Sequence, residues 1–192
     1  MGGISMSNHL DYEINKELGE CYLFMGDMEK AEGYYRKAVD ASGMQVAPYL
    51  GLAAIAIQRN ELESALTLYS KAVSIAADDK SLTGVGLVKM ELGAHEEAFD
   101  CFSRALEHNP ENVVALNCIV REGYHLSRLE QVVPHLQACL ELGPDKEAVR
   151  VTLAGCLMSL GQNEQARQHL ETVLGSNPAN SGAQELFDSI AA

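Results

Sequence analysis

Ala31, Ala65, Ala98, Val132 and Ala166 stand 34, 33, 34 and 34 residues apart, and the same steps carry Tyr35 to Tyr69, Phe102, Leu136 and Leu170. They also carry Ala38 to Ala72, Ala105, Cys139 and Val173. Three columns in register over five copies constrain the fold more than any other feature of this chain. A period of this length is one supersecondary unit repeated, in which a single copy cannot bury its apolar face until a neighbour stacks on it. Such a chain builds a stacked array that binds along its length.

Within each period apolar residues recur at three- and four-residue spacing in two blocks. One example is Leu82, Val85, Val88, Met90 and Leu92, followed after Gly93 by Phe99, Phe102, Ala105 and Leu106. The spacing predicts two amphipathic helices per period. The blocks part at Gly26, Asn60, Gly93, Ser127 and Gly161, types that end a helix in the left-handed conformation or cap the next one. Each period is therefore a helical hairpin. Its second helix is expected to stop at Asn109-Pro110, Gly143-Pro144 and Asn177-Pro178, because proline disfavours helical geometry in the residue before it and has no N–H to donate. The first copy uses Ser42-Gly43. The second has neither residue type, and Ala76 to Asp79 make its join one residue short. Small residues in the Ala31 and Gly19 columns admit close helix approach, while the Tyr35 and Ala38 columns alternate large and small so that ridges interlock. The fourth copy departs most, with Val120, Gly123, Ser127 and an internal Pro134, and is expected to be bent or locally loose.

These residues resemble the tetratricopeptide repeat family, whose pattern is a Leu-Gly pair and an aromatic in the first helix, then Gly, Ala, aromatic, Ala and Pro. The third copy offers Val85-Gly86, Gly93, Ala98, Phe102, Ala105 and Pro110; the first offers Leu18-Gly19, Tyr22, Gly26, Ala31, Tyr35 and Ala38. The resemblance implies an all-α fold, a right-handed superhelical solenoid of about five helical hairpins plus a C-terminal capping helix. Residues 1–11 form the expected lead-in, and the repeats occupy 12–45, 46–78, 79–112, 113–146 and 147–180. Residues 181–192, with Leu186, Phe187 and Ile190, supply the cap that an array's last apolar face requires. The whole is read as one domain, with Met1 to Ser5 a ragged terminus or expression scar.

The 27 acidic against 14 basic residues leave a formal charge of −13, which argues against nucleic acid or an anionic membrane as partner. Neutral, apolar or basic proteins fit better. No run of eighteen apolar residues and no basic start followed by an apolar core is present, so the expected protein is soluble and cytoplasmic, without membrane insertion. An export signal removed with a longer native terminus would instead place it in the periplasm. Five cysteines, an odd number without close pairs, fit a reducing compartment, and Cys21, Cys139 and Cys156 are assigned to small-residue core columns.

Chemistry finds little footing. His95-Glu96-Glu97 lacks the second histidine four residues on that a helical zinc site needs, and no two cysteines stand at two-residue spacing. Gly84-Val85-Gly86 falls within a predicted helix with no strand before it, which makes it a packing feature rather than a phosphate loop. Cys118 and His125 lack a third group to orient the base. No enzyme activity, metal or cofactor is expected.

In the resembled fold the first helices line a concave face, and the stripe that the core columns leave free points into it. Here that stripe includes Leu50, Ala54, Ile57, Leu87, Met90, Asn117, Arg121, Tyr124, Val151 and Met158, which form the expected peptide-binding groove. Its centre is apolar, so either a ligand or the superhelical curvature must cover it. Some family members hold a carboxylate tail with Lys, Asn and Arg on these stripes. This chain matches at Lys16 and Lys80 only, and has Glu20, Gly51 and Gly84 where the other polar groups would be. An apolar segment is the better expectation, with Asn117 available to its backbone and Arg121 to an acidic side chain. The expected function is a non-catalytic scaffold or adaptor for a protein or peptide. A substrate-docking domain of a larger glycosyltransferase- or methyltransferase-type enzyme is the second reading, and a repeat protein self-associating through its groove or ends is the third.

Overall fold

The computed structural model describes residues 6–143 and 145–191 of the chain. Met1 to Ser5, the helix-stopping Pro144 and the terminal Ala192 lie outside the described residues. The rest is all helical: α1 (Met6–Phe24), α2 (Met28–Ala41), α3 (Val46–Gln58), α4 (Leu62–Ile75), α5 (Asp79–Glu91), α6 (His95–His108), α7 (Val113–Leu126), α8 (Leu129–Leu142), α9 (Glu147–Ser159), α10 (Asn163–Ser176) and α11 (Ser181–Ala191). No strand occurs among the described residues. The intervals 46–78, 79–112, 113–146 and 147–180 each hold one helix pair. α1 begins at Met6, so residues 6–11 are helix rather than lead-in.

One turn, built five times, makes the hairpins. Gly26, Asn60, Gly93, Ser127 and Gly161 all have positive φ, between 57° and 80°. They are the five residues at which the sequence parts its blocks. In each turn the next N–H reaches back to the carbonyl five residues earlier: Asp27 to Tyr22, Glu61 to Ala56, Ala94 to Lys89, Arg128 to Gly123 and Gln162 to Leu157, all at 2.8–2.9 Å. This closure satisfies carbonyls that the ending helix leaves without a partner. The joins between hairpins obey the punctuation too. α2, α6, α8 and α10 are followed by four-residue links, whereas α4 and α5 are joined by three residues, 76–78, which accounts for the single 33-residue step. Asp27, Asp78, Asn112 and Asn180 each accept a backbone N–H three residues on and so cap the helices they precede.

The chain separates into two compact units, residues 1–105 and 106–192, with the boundary inside α6. In the first unit α1 packs on α2, α3 on α4, α2 on α3 and α4 on α5, and α1, α3 and α5 also touch in sequence. The second unit repeats the scheme with α7 on α8, α8 on α9, α9 on α10, and α11 against both α9 and α10. Helices with neighbours on several sides are buried nearly all round; α5 buries Ser81 to Gly86, Val88 and Met90. Second helices bury one edge, such as Ala31, Tyr35 and Ala38 of α2 or Ala166, Leu170 and Val173 of α10. Those edges are the sequence columns.

The glycines of the first helices are close-approach sites. A Cβ at Gly19 would stand 2.7 Å from the Tyr35 ring and one at Gly51 2.3 Å from it, so the ring lies between its own hairpin's α1 and the next hairpin's α3. That burial pushes the Tyr35 hydroxyl up to about 12. A Cβ at Gly84 would stand 2.2 Å from the Tyr69 ring and one at Gly86 2.6 Å from the Phe102 ring, which is the packing role expected of Gly84-Val85-Gly86.

One expectation changes. Cys21 is exposed rather than in the core, and Cys101 is buried with Cys139 and Cys156. The face of α1 that bears Cys21 is the one that α3 and α5 turn toward a preceding second helix, so the small-residue column carries no burial there. α8 is one continuous helix through Pro134. Both Pro134 and Glu130, whose carbonyl loses its donor, are exposed, so solvent supplies the missing bond.

Candidate functional site

The ten groove residues divide between the two units. In the first, Leu50, Ala54, Ile57 and Leu87 are partly buried and Met90 is covered by the chain itself, at 8% exposure. In the second, Val151 and Met158 are partly buried, while Asn117, Arg121 and Tyr124 are exposed along one face of α7. The second unit therefore offers the more open surface.

Tyr124 leans from α7 across to α9. Its hydroxyl accepts a hydrogen bond from Ser159 Oγ at 3.3 Å and lies beside Gly155, where a Cβ would make ordinary contact with it at 3.8 Å. Partial burial raises the phenol above its ordinary value despite the Ser159 bond, so it stays neutral. Arg121 Nε lies 3.6 Å from Oε1 of Glu122, a carboxylate at 2% exposure in the column that holds Ile55, Val88 and Cys156 in other hairpins. This buried charge holds the exposed guanidinium near the helix surface.

Between α7, the end of α8 and the start of α9 lies a partly open cavity of about 520 Å³. Val113, Leu116, Val120, Leu136, Val149 and Thr152 give it apolar walls, and Asn117 and Ala148 stand at its edge on the α7 and α9 stripes. The repeat register explains why space opens here. In the first unit the aromatics of the Tyr35 column lie on Gly51 and Gly84; in this unit the same columns hold Leu136 and Thr152. A smaller side chain on one helix and a branched one on the other leave a gap where a ring fills the interface elsewhere.

A polar strap closes one end of the cavity. The Lys146 stem folds back over Gly143, whose missing side chain leaves the space, and its ammonium donates to Glu111 Oε1 at 2.6 Å and to the Cys139 carbonyl at 3.0 Å. The bond to Glu111 holds the ammonium above the ordinary lysine value. Glu147 beside it accepts from the side chains of Asn177 at 2.9 Å and Asn180 at 3.1 Å, which ties the start of α9 to the link before α11. Of these cavity residues, the stripe read from the sequence reaches only Asn117 and Ala148. The signal for them lies in the aromatic column, where Tyr, Tyr and Phe give way to Leu136.

The first unit shows why the carboxylate-holding pattern is incomplete. Polar side chains at Gly51 and Gly84 would collide with Tyr35 and Tyr69, and Lys16 is engaged by Glu13 at 2.6 Å. Among the described residues no group of three or more His, Cys, Asp or Glu is arranged to hold a metal ion. Among them, too, no helix is long and apolar enough to cross a membrane.

Two family models, both described as tetratricopeptide repeat, match residues 13–43 and 125–187. The BBSome complex member BBS4 of Bos taurus is 29% identical over 110 residues, which cover 57% of this chain and 21% of that protein. Tetratricopeptide repeat protein 8 of Caenorhabditis elegans is 21% identical over 153 residues, 79% of this chain and 30% of its own length. The chain thus spans less than a third of either relative. Among solved structures, Pseudomonas aeruginosa pilF superposes with a TM-score of 0.72 at 20% identity, over 96% of this chain and 85% of that one. YrrB, described as a TPR protein with an unusual peptide-binding site, superposes at 0.65 with 25% identity over 81% of both chains. The repeated columns, the five left-handed turns and these matches agree, and the chain belongs to the tetratricopeptide repeat family.

Proposed function

We propose that the protein is a non-catalytic interaction scaffold and that its second unit binds a peptide segment along α7 and α9. The cavity of about 520 Å³ carries this reading, because its size suits ligand recognition and its apolar walls open onto an exposed polar edge. One large apolar side chain of the peptide enters between Val113, Leu116, Leu136 and Val149. The Asn117 amide faces the peptide backbone, Arg121 an acidic side chain, and Tyr124 a flat apolar contact one turn further along. The likeness to YrrB, whose description names a peptide-binding site, supports the class of ligand.

The energetics set a modest affinity. Burying one large side chain contributes about 1.5–3 kcal/mol, and association costs about 4 kcal/mol or more. Micromolar binding corresponds to about 8 kcal/mol, so the anchor needs the polar contacts and Tyr124 to reach it. The test is selection of binders from a displayed library of random peptides of about 12 residues, followed by titration of the best binder. The result expected is enrichment of peptides with a large apolar residue, whose binding is lost in Ala148→Trp, which plugs the mouth, and weakened in Tyr124→Ala. Both variants should keep the wild-type helical spectrum. Full binding to Ala148→Trp would overturn the assignment.

A further inference from the structure

Helix α1 presents a second apolar face. Leu10, Ile14, Glu17, Cys21 and Phe24 follow one another at spacings of four, three, four and three, the seam of a heptad repeat, and all five are exposed. Leu10 is 60% exposed, Ile14 48% and Phe24 95%. Phe24 has no counterpart in the other first helices, where its column holds Gln58, Glu91, His125 and Ser159.

The repeat register shows what this face is built to meet. One period on, Ile14, Glu17 and Cys21 become Pro48, Gly51 and Ile55 of α3; two periods on, they become Ser81, Gly84 and Val88 of α5. All six are buried. There the face packs on the second helix of the preceding hairpin, α2 against α3 and α4 against α5, with the Tyr35 ring on Gly51 and the Tyr69 ring on Gly84. The element that covers such a face in this fold is one amphipathic helix.

Glu17 decides which helix fits. It stands where α3 and α5 carry glycine, so an aromatic like Tyr35 has no room, and covering the carboxylate without a countercharge is unfavourable. A second copy of α1 fails at the same residue. Glu17 is the midpoint of Leu10 to Phe24, so parallel pairing in register and antiparallel pairing about the centre both set Glu17 against Glu17. Each copy would also bring a formal charge of −13. Glu20 lies on the same flank of the helix and extends the acidic edge, while Glu13 beside it is paired with Lys16. Charge complementarity therefore selects a basic occupant.

We propose that the Leu10–Phe24 face of α1 docks one amphipathic helix of a basic protein partner, its apolar seam on Leu10, Ile14, Cys21 and Phe24 and a Lys or Arg against Glu17. This surface is separate from the α7–α9 cavity and stands or falls independently of it.

The probes are two fluorescent helix-forming peptides of about 20 residues that share one Leu/Ile seam and differ only at its central position, Lys in one and Glu in the other. Anisotropy titrations use the full chain at about 50 mM and about 500 mM salt. The Lys peptide should bind at least about tenfold more tightly at low salt, about 1.4 kcal/mol, with the margin shrinking at high salt. Glu17→Lys should invert the preference, and Phe24→Asp should weaken both peptides while the helical spectrum persists and Ala148→Trp changes nothing. Equal binding of the two peptides would overturn the proposal, as would loss of binding in Ala148→Trp but not in Phe24→Asp. So would a concentration-dependent dimer, seen by light scattering and abolished by Phe24→Asp, since it would make a second copy the occupant.

Discussion

Replacing Gly51 by alanine measures how tightly the hairpins are stacked. A Cβ at this position would sit 2.3 Å from Tyr35 Cζ and 2.4 Å from Cε2, well inside contact distance. The ring cannot retreat, because Gly19 already stands against its other side and the side chain is only 2% exposed. Overpacking of this kind costs about 1–3 kcal/mol, while exchange of glycine for alanine inside a helix returns about 0.8–1.0 kcal/mol. Gly33 of α2 isolates the second contribution, since a Cβ there meets nothing within 4 Å. Gly33→Ala should therefore stabilise, and Gly51→Ala should lie about 1–3 kcal/mol below it, a gap of about 2–12 °C in Tm for a chain of this size. Thermal and urea unfolding followed by circular dichroism at 222 nm would read the difference. Adding Tyr35→Leu to Gly51→Ala should cost less than the same change in the unaltered chain, since it also removes the clash. If Gly51→Ala proves as stable as Gly33→Ala, the ring is not clamped and the stacking argument fails.

Removing residues 181–192 strips α11 from α9 and α10 and uncovers the apolar surface beneath Ala183, Leu186 and Ile190. At about 1.5–3 kcal/mol for each large side chain uncovered, Tm should fall by several degrees and light scattering should show association; an unchanged Tm and mass would show that the helix is no cap. Burial holds His135 and His169 below the ordinary histidine value, so on acidification the unfolded chain takes up the protons first. The stability they contribute is whole above about pH 6.5 and is lost as pH falls through that value toward their folded pKa; in His135→Gln/His169→Gln the slope of urea stability between about pH 7 and 5 should flatten, and an unchanged slope would refute it. Cys21 should react first with an aromatic disulfide reagent, whereas burial raises the Cys101, Cys118 and Cys156 thiols and slows them; faster labelling of Cys156 would contradict the packing described.

Residue order alone dictates the repeating unit and its punctuation. A 34-residue period with small and large columns admits only a stack of like units, and a residue type found at positive φ stands at every block boundary, so all five turns are legible in the chain itself. These features are local: a left-handed turn or an X-Pro stop depends on the residue itself and its neighbour. Burial and open space depend on what another helix brings to the same point, and they emerge only from tertiary packing. Cys21 and Cys156 share a column, yet one is exposed and the other buried, because α8 packs on α9 while no described helix packs on the corresponding face of α1. Leu136 reads as one more core residue in its column; only the pairing with Thr152 across the interface turns it into the wall of a cavity. Met90 falls on the stripe that periodicity leaves free, but neighbours on several sides of α5 bury it. Periodicity fixes the direction in which a side chain leaves its helix, and only packing determines whether anything stands there to meet it.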